Sequence, residues 1–534
     1  MKRRKKVLAF ALAVMMTVSV FGCNKNGADD PTTPQPTSGN NGTTSQEQQS
    51  SSVTPATKLS ILLPYGDHAY DDLDLTIEFR DRLQKYTNTD ITWELYDSVS
   101  YYEKLTLKYA TGDLATIMVT DQNAEFLNAC QYNVFWELSD YFDLFSNLAT
   151  IPEATRMNAS VNGKIYGVPR SRTVGRNAPA YRQDWADNLG IGFPETLEDL
   201  YNMAVAFTNN DPDGNGKNDT YGFALDGWSG QWTMMMMWFG VPNTWGLDGN
   251  GKLVYYAMTD EYKTALKTFR QWHSEGLMPA DFRTINPGAA DKQLLRTNMA
   301  GISIQTADTA SRAVGAMNGT AEAPGAYPEA RFTYFSGVDA GYGIKAWPTK
   351  GYAGYVAIAK SLAPAEEDML KALKFLNDIN DAEMQNLIGF GIEGKDYYMD
   401  DNGYAVRYTE DEKAAMGIST AAYREGYNQM VPYFATAEEA AKVIGVELTE
   451  QKKAEAAIQA ANMQYVVPNY GASYTSETYV QIGAELDSLI ESAMLDYIDG
   501  VIDDTALNSA LDQWLEAGGQ TVTDEMNALY EMYR

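Results

Sequence analysis

Nine consecutive residues, Asp211-Pro212-Asp213-Gly214-Asn215-Gly216-Lys217-Asn218-Asp219, put oxygen-bearing side chains at positions 1, 3, 5 and 9. Gly216 stands at position 6 and the Lys217 carbonyl at position 7. This is three quarters of an EF-hand-type loop: hard oxygen donors spaced to wrap a hard cation, with glycine at the sharp turn. Position 12 is Gly222, so the usual bidentate glutamate is missing. Asp211, Asp213, Asn215, Lys217 and Asp219 are expected to hold a structural Ca2+, the shortfall met by Asp219, Thr220, water or an acid from elsewhere. The plainer alternative is a polar Asn/Gly turn that needs no metal. Other metal and thiol chemistry is nearly excluded. Cys23 and Cys130 are the only cysteines and His68 and His273 the only histidines, too few for a disulfide framework, a Cys/His zinc cluster or a Cys-x-x-Cys redox pair.

The 534 residues, 45% hydrophobic and 21% charged, fit a soluble globular protein with more than one core. Their net charge is −30, and loss of the five basic residues at Lys2 to Lys6 takes it to −35. Such a body repels phosphate backbones, so no nucleic-acid partner is expected. The amino terminus gives an address. A basic stretch precedes an apolar run from Val7 to Val20, too short to span ~30 Å of hydrocarbon and right for a signal peptide. It ends in Val20-Phe21-Gly22-Cys23, which resembles a bacterial lipobox. Residues 1–22 are read as the signal peptide, and Cys23 as a lipidated residue heading a disordered tether over 23–57, a segment rich in Pro, Ser, Thr, Gln and Asn. The expected location is the extracellular face of the cell membrane.

From Lys58 onward strand-like and helix-like patterns alternate. LSILLPY (59–65), DITWELYD (90–97) and ATIMVTD (115–121) read as strands, with helices over 73–86 and 101–113 between them. This βαβαβ start implies a parallel sheet, whose ligands bind beyond the carboxyl ends of its strands. Helices are expected over 196–208, 260–275 and 364–380, strands at 301–306 and 355–360, and a largely helical stretch at the carboxyl end. Thr196 with Asp199 forms the start of a capping box.

Several stretches together, among them LTLKYATGDLATIMV (105–119), NGKIYGVPR (162–170), YRQDWADNLGIGFPETLEDLYNMAVAF (181–207), DPDGNGKNDTYGF (211–223) and GIEGKDYYMDDNGY (391–404), resemble the extracellular solute-binding proteins of bacterial ABC importers. The similarity is to the oligosaccharide-binding group with its lipoprotein and alginate-binding members. It implies an α/β fold of two lobes, the type II periplasmic-binding-protein-like arrangement. Each lobe would be a mostly parallel sheet flanked by helices, with a helical carboxyl-terminal region. The expected division is lobe 1 over 58–170, lobe 2 over 171–345, a return to lobe 1 over 346–410, and a helical region over 411–534 packing on both. The implied function is capture of an oligosaccharide in the interlobe cleft by hinge closure and delivery to ABC permease subunits, by a monomer that catalyses nothing. The competing reading is a surface lipoprotein enzyme acting on polysaccharide, which would need two carboxylates across a glycosidic bond. A peptide-binding or purely structural lipoprotein is a third.

A sugar site wants an aromatic plate and planar hydrogen-bonding groups at its edge. Trp228, Trp232 and Trp347 are candidate plates, although a cluster of Trp beside Met234 to Met237 is more often core. Arg170 and Arg182 belong to the one basic concentration in the chain, placed near the first crossing between lobes. Tyr65, Asp121, Gln305 and Asp308 follow strand-like segments and complete the candidate ligand set.

Overall fold

The computed structural model describes residues 55–64, 68–320 and 323–533. Cys23, Tyr65, the leader and nearly all of the tether lie outside them. In chain order the strands are β1 (Thr57–Pro64), β2 (Thr89–Tyr96), β3 (Ile117–Thr120), β4 (Val168–Ser171), β5 (Ala180–Arg182), β6 (Tyr221–Ala224), β7 (Trp245–Leu247), β8 (Leu253–Tyr255), β9 (Ala300–Ser303), β10 (Phe332–Tyr334), β11 (Tyr352–Ile358), β12 (Tyr397–Met399) and β13 (Ala405–Arg407). Two sheets carry the fold, in the orders β2-β1-β3-β11-β4 and β10-β5-β9-β6. The short pairs β7–β8 and β12–β13 are hairpins over the turns Asp248–Gly251 and Asp401–Gly403.

Strand direction follows from where the chain enters each sheet. β1, β2 and β3 are joined by helices Asp74–Thr87 and Ser98–Thr111 and run parallel. β4 leaves the first sheet and β5 enters the second at the edge between them, so β5 runs antiparallel to β9, while β6 is parallel to β9. The return has the same geometry: β11 enters from β10 and is antiparallel to both β3 and β4. Each sheet thus mixes parallel strands with one antiparallel strand delivered by a crossing.

Each sheet has its own core. One is built around Ile61, Phe79, Ile117, Phe126, Tyr355 and Leu373, and it extends to Phe434. The other packs Trp185, Phe207, Trp232, Trp238, Phe269 and Trp272 against Leu486, Ile490, Met494 and Trp514 of the carboxyl-terminal helices. The carboxyl-terminal region therefore divides: residues to Phe434 belong with the first sheet, and helices Glu477–Ile498, Asp504–Trp514 and Gln520–Tyr533 with the second. Local signals decide the ends of elements. Helix Leu197–Asn209 begins at Thr196, whose side chain and that of Asp199 complete a capping box.

Three chain passages run side by side between the sheets. Arg172 N–H donates to Gly351 O at 3.0 Å, Thr349 N–H to Val174 O at 2.9 Å, and Ser171 N–H to Pro432 O at 2.8 Å. Val467 N–H donates to Ala346 O at 3.2 Å. All the described residues belong to a single compact unit, Pro55–Arg534.

Candidate functional site

The carboxyl ends of β3 and β4 and the start of β11 bring Asp121, Arg170 and Tyr352 together. The register fixes this, since Tyr355 lies opposite both Thr120 and Pro169. Gly354, with φ +70°, lets the β11 backbone pass close to Asp121. A Cβ there would stand 2.4 Å from Thr120 O and 2.5 Å from Asp121 Oδ1. Tyr352 donates its hydroxyl to Gln122 Oε1 at 2.7 Å, and Lys350 Nζ reaches the same oxygen at 3.4 Å. Lys350 is exposed at its surface, and desolvation by the protein around it lowers its pKa, against the pull of Asp121.

Arg170 is buried at 5% exposure. It donates from Nη1 to Ala353 O at 3.1 Å and from Nη2 to Gln429 Oε1, while its Nε has no partner among the described residues. Burial, with Arg172 next to it, lowers its pKa to about 10. From here the chain runs through Arg172 to Arg176, whose guanidinium makes a two-point contact with Asp308, at 3.1 and 3.0 Å, in the first turn of helix Ala307–Asn318. Asp308 is bonded to Arg312 as well. Burial would raise its pKa, but Thr306, Arg176 and Arg312 outweigh that and bring it to about 2. Asp308 is therefore the anchor of an ion-pair cluster. Gln305 precedes it, with its backbone carbonyl accepting from Ala178 N–H at 3.2 Å and a buried Nε2 without a partner among the described residues.

Across the crossing, Trp228 and Trp347 meet with ring centroids 6.3 Å apart at 46°. Both are half-buried. Trp347 donates to Asn243 Oδ1 at 3.3 Å, and Asn177 Nδ2 donates to Trp347 O at 3.0 Å. The Trp228 indole folds over the first turn of helix Ser229–Met236, and a Cβ on Gly230 would lie 2.2 Å from it, so Gly230 of GWSGQW makes room for the ring. Asp226 fixes the loop: fully buried, it accepts Trp228 N–H at 2.9 Å and Ala290 N–H at 3.0 Å. A cavity of about 180 Å³ adjoins Gln122 and Lys350, walled by Trp245, Tyr474, Tyr479 and Trp514.

Two of the expected ligand residues fall elsewhere. Trp232 is fully buried, 5.4 Å from the rings of both Phe269 and Phe282; it is core. The spacing of four does not put it beside Trp228, because the helix starts only at Ser229 and Trp228 caps it from outside. Arg182 is 2% exposed and sits at the far end of β5, which runs away from the crossing. It pairs with Asp184 at 2.9 and 2.6 Å, donates to Asn298 Oδ1 at 2.6 Å, and lies 4.7 Å above the Trp185 ring. Lys350, Tyr352 and Gln429 were not singled out from sequence. The one available signal was the glycine pair at Gly351 and Gly354, which marks an irregular backbone at the return.

The metal-like loop is a separate site beyond helix Leu197–Asn209. Asp211 Oδ1 and Oδ2 accept from Asn215 N–H at 3.0 Å and Gly216 N–H at 2.9 Å, and Asn215 Nδ2 bridges Asp213 at 3.0 Å and Asp219 at 3.2 Å. Burial, and then the neighbouring Asp211 and Asp219 carboxylates, raise the pKa of Asp213. Gly222 lies in β6, where a Cβ would come within 2.7 Å of Ala204, so position 12 gives no side chain. No cluster of three or more His, Cys, Asp or Glu with metal-holding geometry is found among the described residues. The donor types suit a hard cation, since three carboxylates, an amide oxygen and a carbonyl stand on one loop, and a cation there would relieve the repulsion between the carboxylates.

Residues 78–390 match the family model for bacterial extracellular solute-binding proteins. The chain belongs to that family. Lipoprotein LipO of Bacillus subtilis is 31% identical over 455 residues, 84% of this chain and 88% of the relative. The polygalacturonan/rhamnogalacturonan-binding protein YtcQ, also of B. subtilis, is 27% identical over 84% of this chain and 87% of its own length. A solved structure of the Streptococcus pneumoniae ABC-transporter substrate-binding protein FusA, an EF-hand mutant in complex with fructo-nystose, superposes with a TM-score of 0.65 at 18% identity, covering 89% of this chain and 99% of that one. The fold is therefore the two-lobed type II arrangement. In this solute-binding protein the residues gathered at the crossing are Asp121, Gln122, Arg170, Arg172, Trp228, Trp347, Lys350 and Tyr352.

Proposed function

We propose that this solute-binding protein captures an oligosaccharide in the cleft between its lobes, closes on it by a hinge at the three crossings, and passes it intact to the permease of an ABC importer. The observation that carries this reading is the site itself. Two indoles meet at the crossing, beside a strip of arginines and amides at the carboxyl ends of β3 and β4. Indole faces take the C–H surface of a pyranose, and Arg, Asp and Gln take its hydroxyls. The named ligands of the relatives, a pectic polysaccharide and a fructan oligomer, point the same way.

The lobes are read as 58–170 with the return 346–410, and 171–345, the helical end bracing both. Cys23, carrying a lipid, would leash the protein to the outer face of the membrane, where it acts as a monomer. Asp211, Asp213, Asn215, Asp219 and the Lys217 carbonyl would hold Ca2+, which ties the loop down and neutralises its carboxylates. Its support is the donor spacing together with the EF-hand named in the FusA relative. The chain cuts nothing in this reading.

A thermal-shift screen of the purified protein over neutral and acidic oligosaccharides tests it, followed by chromatography of the recovered glycan. At least one glycan raises Tm and emerges unaltered. Absence of any shift refutes capture, and a shortened glycan supports the polysaccharide-degrading enzyme instead.

A further inference from the structure

The protein carries 71 acidic residues, yet it leaves two guanidiniums at the cleft without a carboxylate. Arg182, the other arginine buried as deeply as Arg170, is matched by Asp184, and half-buried Arg80, Arg296 and Arg176 are matched by Asp71, Asp291 and Asp308, while Arg270 and Arg424 rest on backbone carbonyls. Arg170 and Arg172 form no ion pair among the described residues. Arg170 is 95% buried and has only the Ala353 carbonyl, the Gln429 amide oxygen and an unpartnered Nε. Half-buried Arg172 has the Ser171 carbonyl at 2.8 Å. Lys350 joins them at the crossing. Against these cations stands Asp121, since Asp308 is taken by Arg176 and Arg312.

We infer that the captured oligosaccharide carries a carboxylate, as a uronic acid does, and that Arg170 and Arg172 receive it. This rests on the reading of the protein as an oligosaccharide binder and adds the chemical class of the sugar. A buried charge without a counter-ion is costly, and a chain so rich in acids could have supplied one from any neighbouring position. An arginine meant to bind hydroxyls loses nothing by keeping an aspartate behind it. An arginine left without an internal carboxylate keeps its full charge for one that the ligand brings, which its planar fork can bind at two points. Burial and then the adjacent Arg172 lower the pKa of Arg170, and burial and then Arg176 lower that of Arg172. The net charge of −30 works against an acidic ligand at long range, so the local cationic strip is what would make its capture favourable. Asp121, Gln122 and Tyr352 then remain for the hydroxyls of the same sugar.

Calorimetry on the purified protein tests the class directly. Trigalacturonate, triglucuronate and trimannuronate are each titrated against the carboxyl-reduced neutral trisaccharide of the same linkage, beside a neutral fructan. At least one acid is expected to bind about tenfold or more tightly than its neutral counterpart, with an affinity that falls as salt is added. Arg172→Gln, at the less buried of the two positions, should weaken binding of the acid by a larger factor than binding of its neutral counterpart, so that most of the preference is lost; an equal loss on both would count against the inference. If neutral trisaccharides bind as tightly as the acids in every pair, or only the fructan binds, the carboxylate inference is overturned and oligosaccharide capture stands. If no glycan of the panel binds, both fall.

Discussion

Asp226→Asn is the substitution that most directly tests how the aromatic plate is held. The carboxylate is fully buried, with Trp228 N–H on Oδ1 at 2.9 Å and Ala290 N–H on Oδ2 at 3.0 Å. Its own N–H donates to Gln231 Oε1 at 3.0 Å, and Gln231 Nε2 returns to Ala224 O at 3.2 Å. Both carboxylate oxygens therefore accept, and an asparagine must aim its amino group at one of the two N–H donors. That removes a charge-assisted hydrogen bond, about 1.5–3 kcal/mol, and leaves a buried donor facing a donor, about 1–3 kcal/mol more. Part of this is offset because the charge itself is expensive to bury: desolvation raises the pKa of Asp226 in spite of the backbone donors around it. A net loss of about 2 kcal/mol is expected, read as a Tm lower by roughly 4–8 °C for a lobe of this size.

Urea denaturation of parent and variant, followed by Trp fluorescence, measures that loss, and glycan titration measures the second effect. With Trp228 released from its N–H anchor, affinity should drop several-fold. The pH dependence has a fixed sign. A carboxyl that binds its proton more tightly folded than unfolded contributes stability that is complete below its ordinary value of 3.8 and declines as pH rises through the folded one. The margin of the parent over the variant should thus be widest in acid and narrow toward neutrality. An Asn variant as stable as the parent at neutral pH would show that the ionised carboxylate does not hold the loop, and the argument for Trp228 as a positioned plate would go with it.

Trp232→Ala should cost about 3–5 kcal/mol of stability through the cavity it opens, whereas Trp228→Ala should cost far less and instead weaken glycan binding; paired denaturation and calorimetry separate the two roles. Added Ca2+ should raise Tm and a chelator reverse it, by about 1.4 kcal/mol at tenfold excess over Kd, and Asp219→Ala, at an exposed position, should blunt that response in the same thermal scan. The ion-pair cluster at Asp308 should fail in acid: a carboxyl lowered from 3.8 to about 2 contributes stability above its unfolded value that is lost as pH falls through the folded one, so Asp308→Asn should flatten the acid limb of a stability–pH curve.

Local chemistry was legible in the sequence wherever neighbours along the chain decide the outcome. Thr196 and Asp199 announce the helix that begins at Leu197, the Asp/Asn/Gly turns announce two hairpins, and the apolar runs at 59–65 and 115–121 announce β1 and β3. The calcium-like spacing is equally local. What could not be read was anything that depends on a distant partner. Trp228 and Trp347 meet only because the chain crosses between the sheets and comes back, and the seat of Arg170 is finished by Ala353 and Gln429 from two later passages. A tryptophan within a methionine-rich stretch has the same pattern whether it is core, as Trp232 is, or plate.

Arg182 shows the deeper reason. The sequence reading gives neither the strand at 180–182 nor its direction, and direction decides which end meets the ligand. β4 ends at the crossing, so its last residues, Arg170 among them, are delivered to the cleft. β5 begins there, so its last residue is carried to the far side, where Arg182 joins Asp184, Asn298 and, through Asn298 Nδ2 at 2.8 Å, Asp213 of the metal-like loop. The same rule separates the other candidates. Asp121 and Gln305 follow strands that run toward the crossing, and Tyr352 starts one that leaves it, so all three stand at the cleft. For a fold of two sheets joined by crossings, a basic residue is a ligand candidate when it ends a strand that leaves its lobe or begins one that arrives; at the other end it belongs to the scaffold.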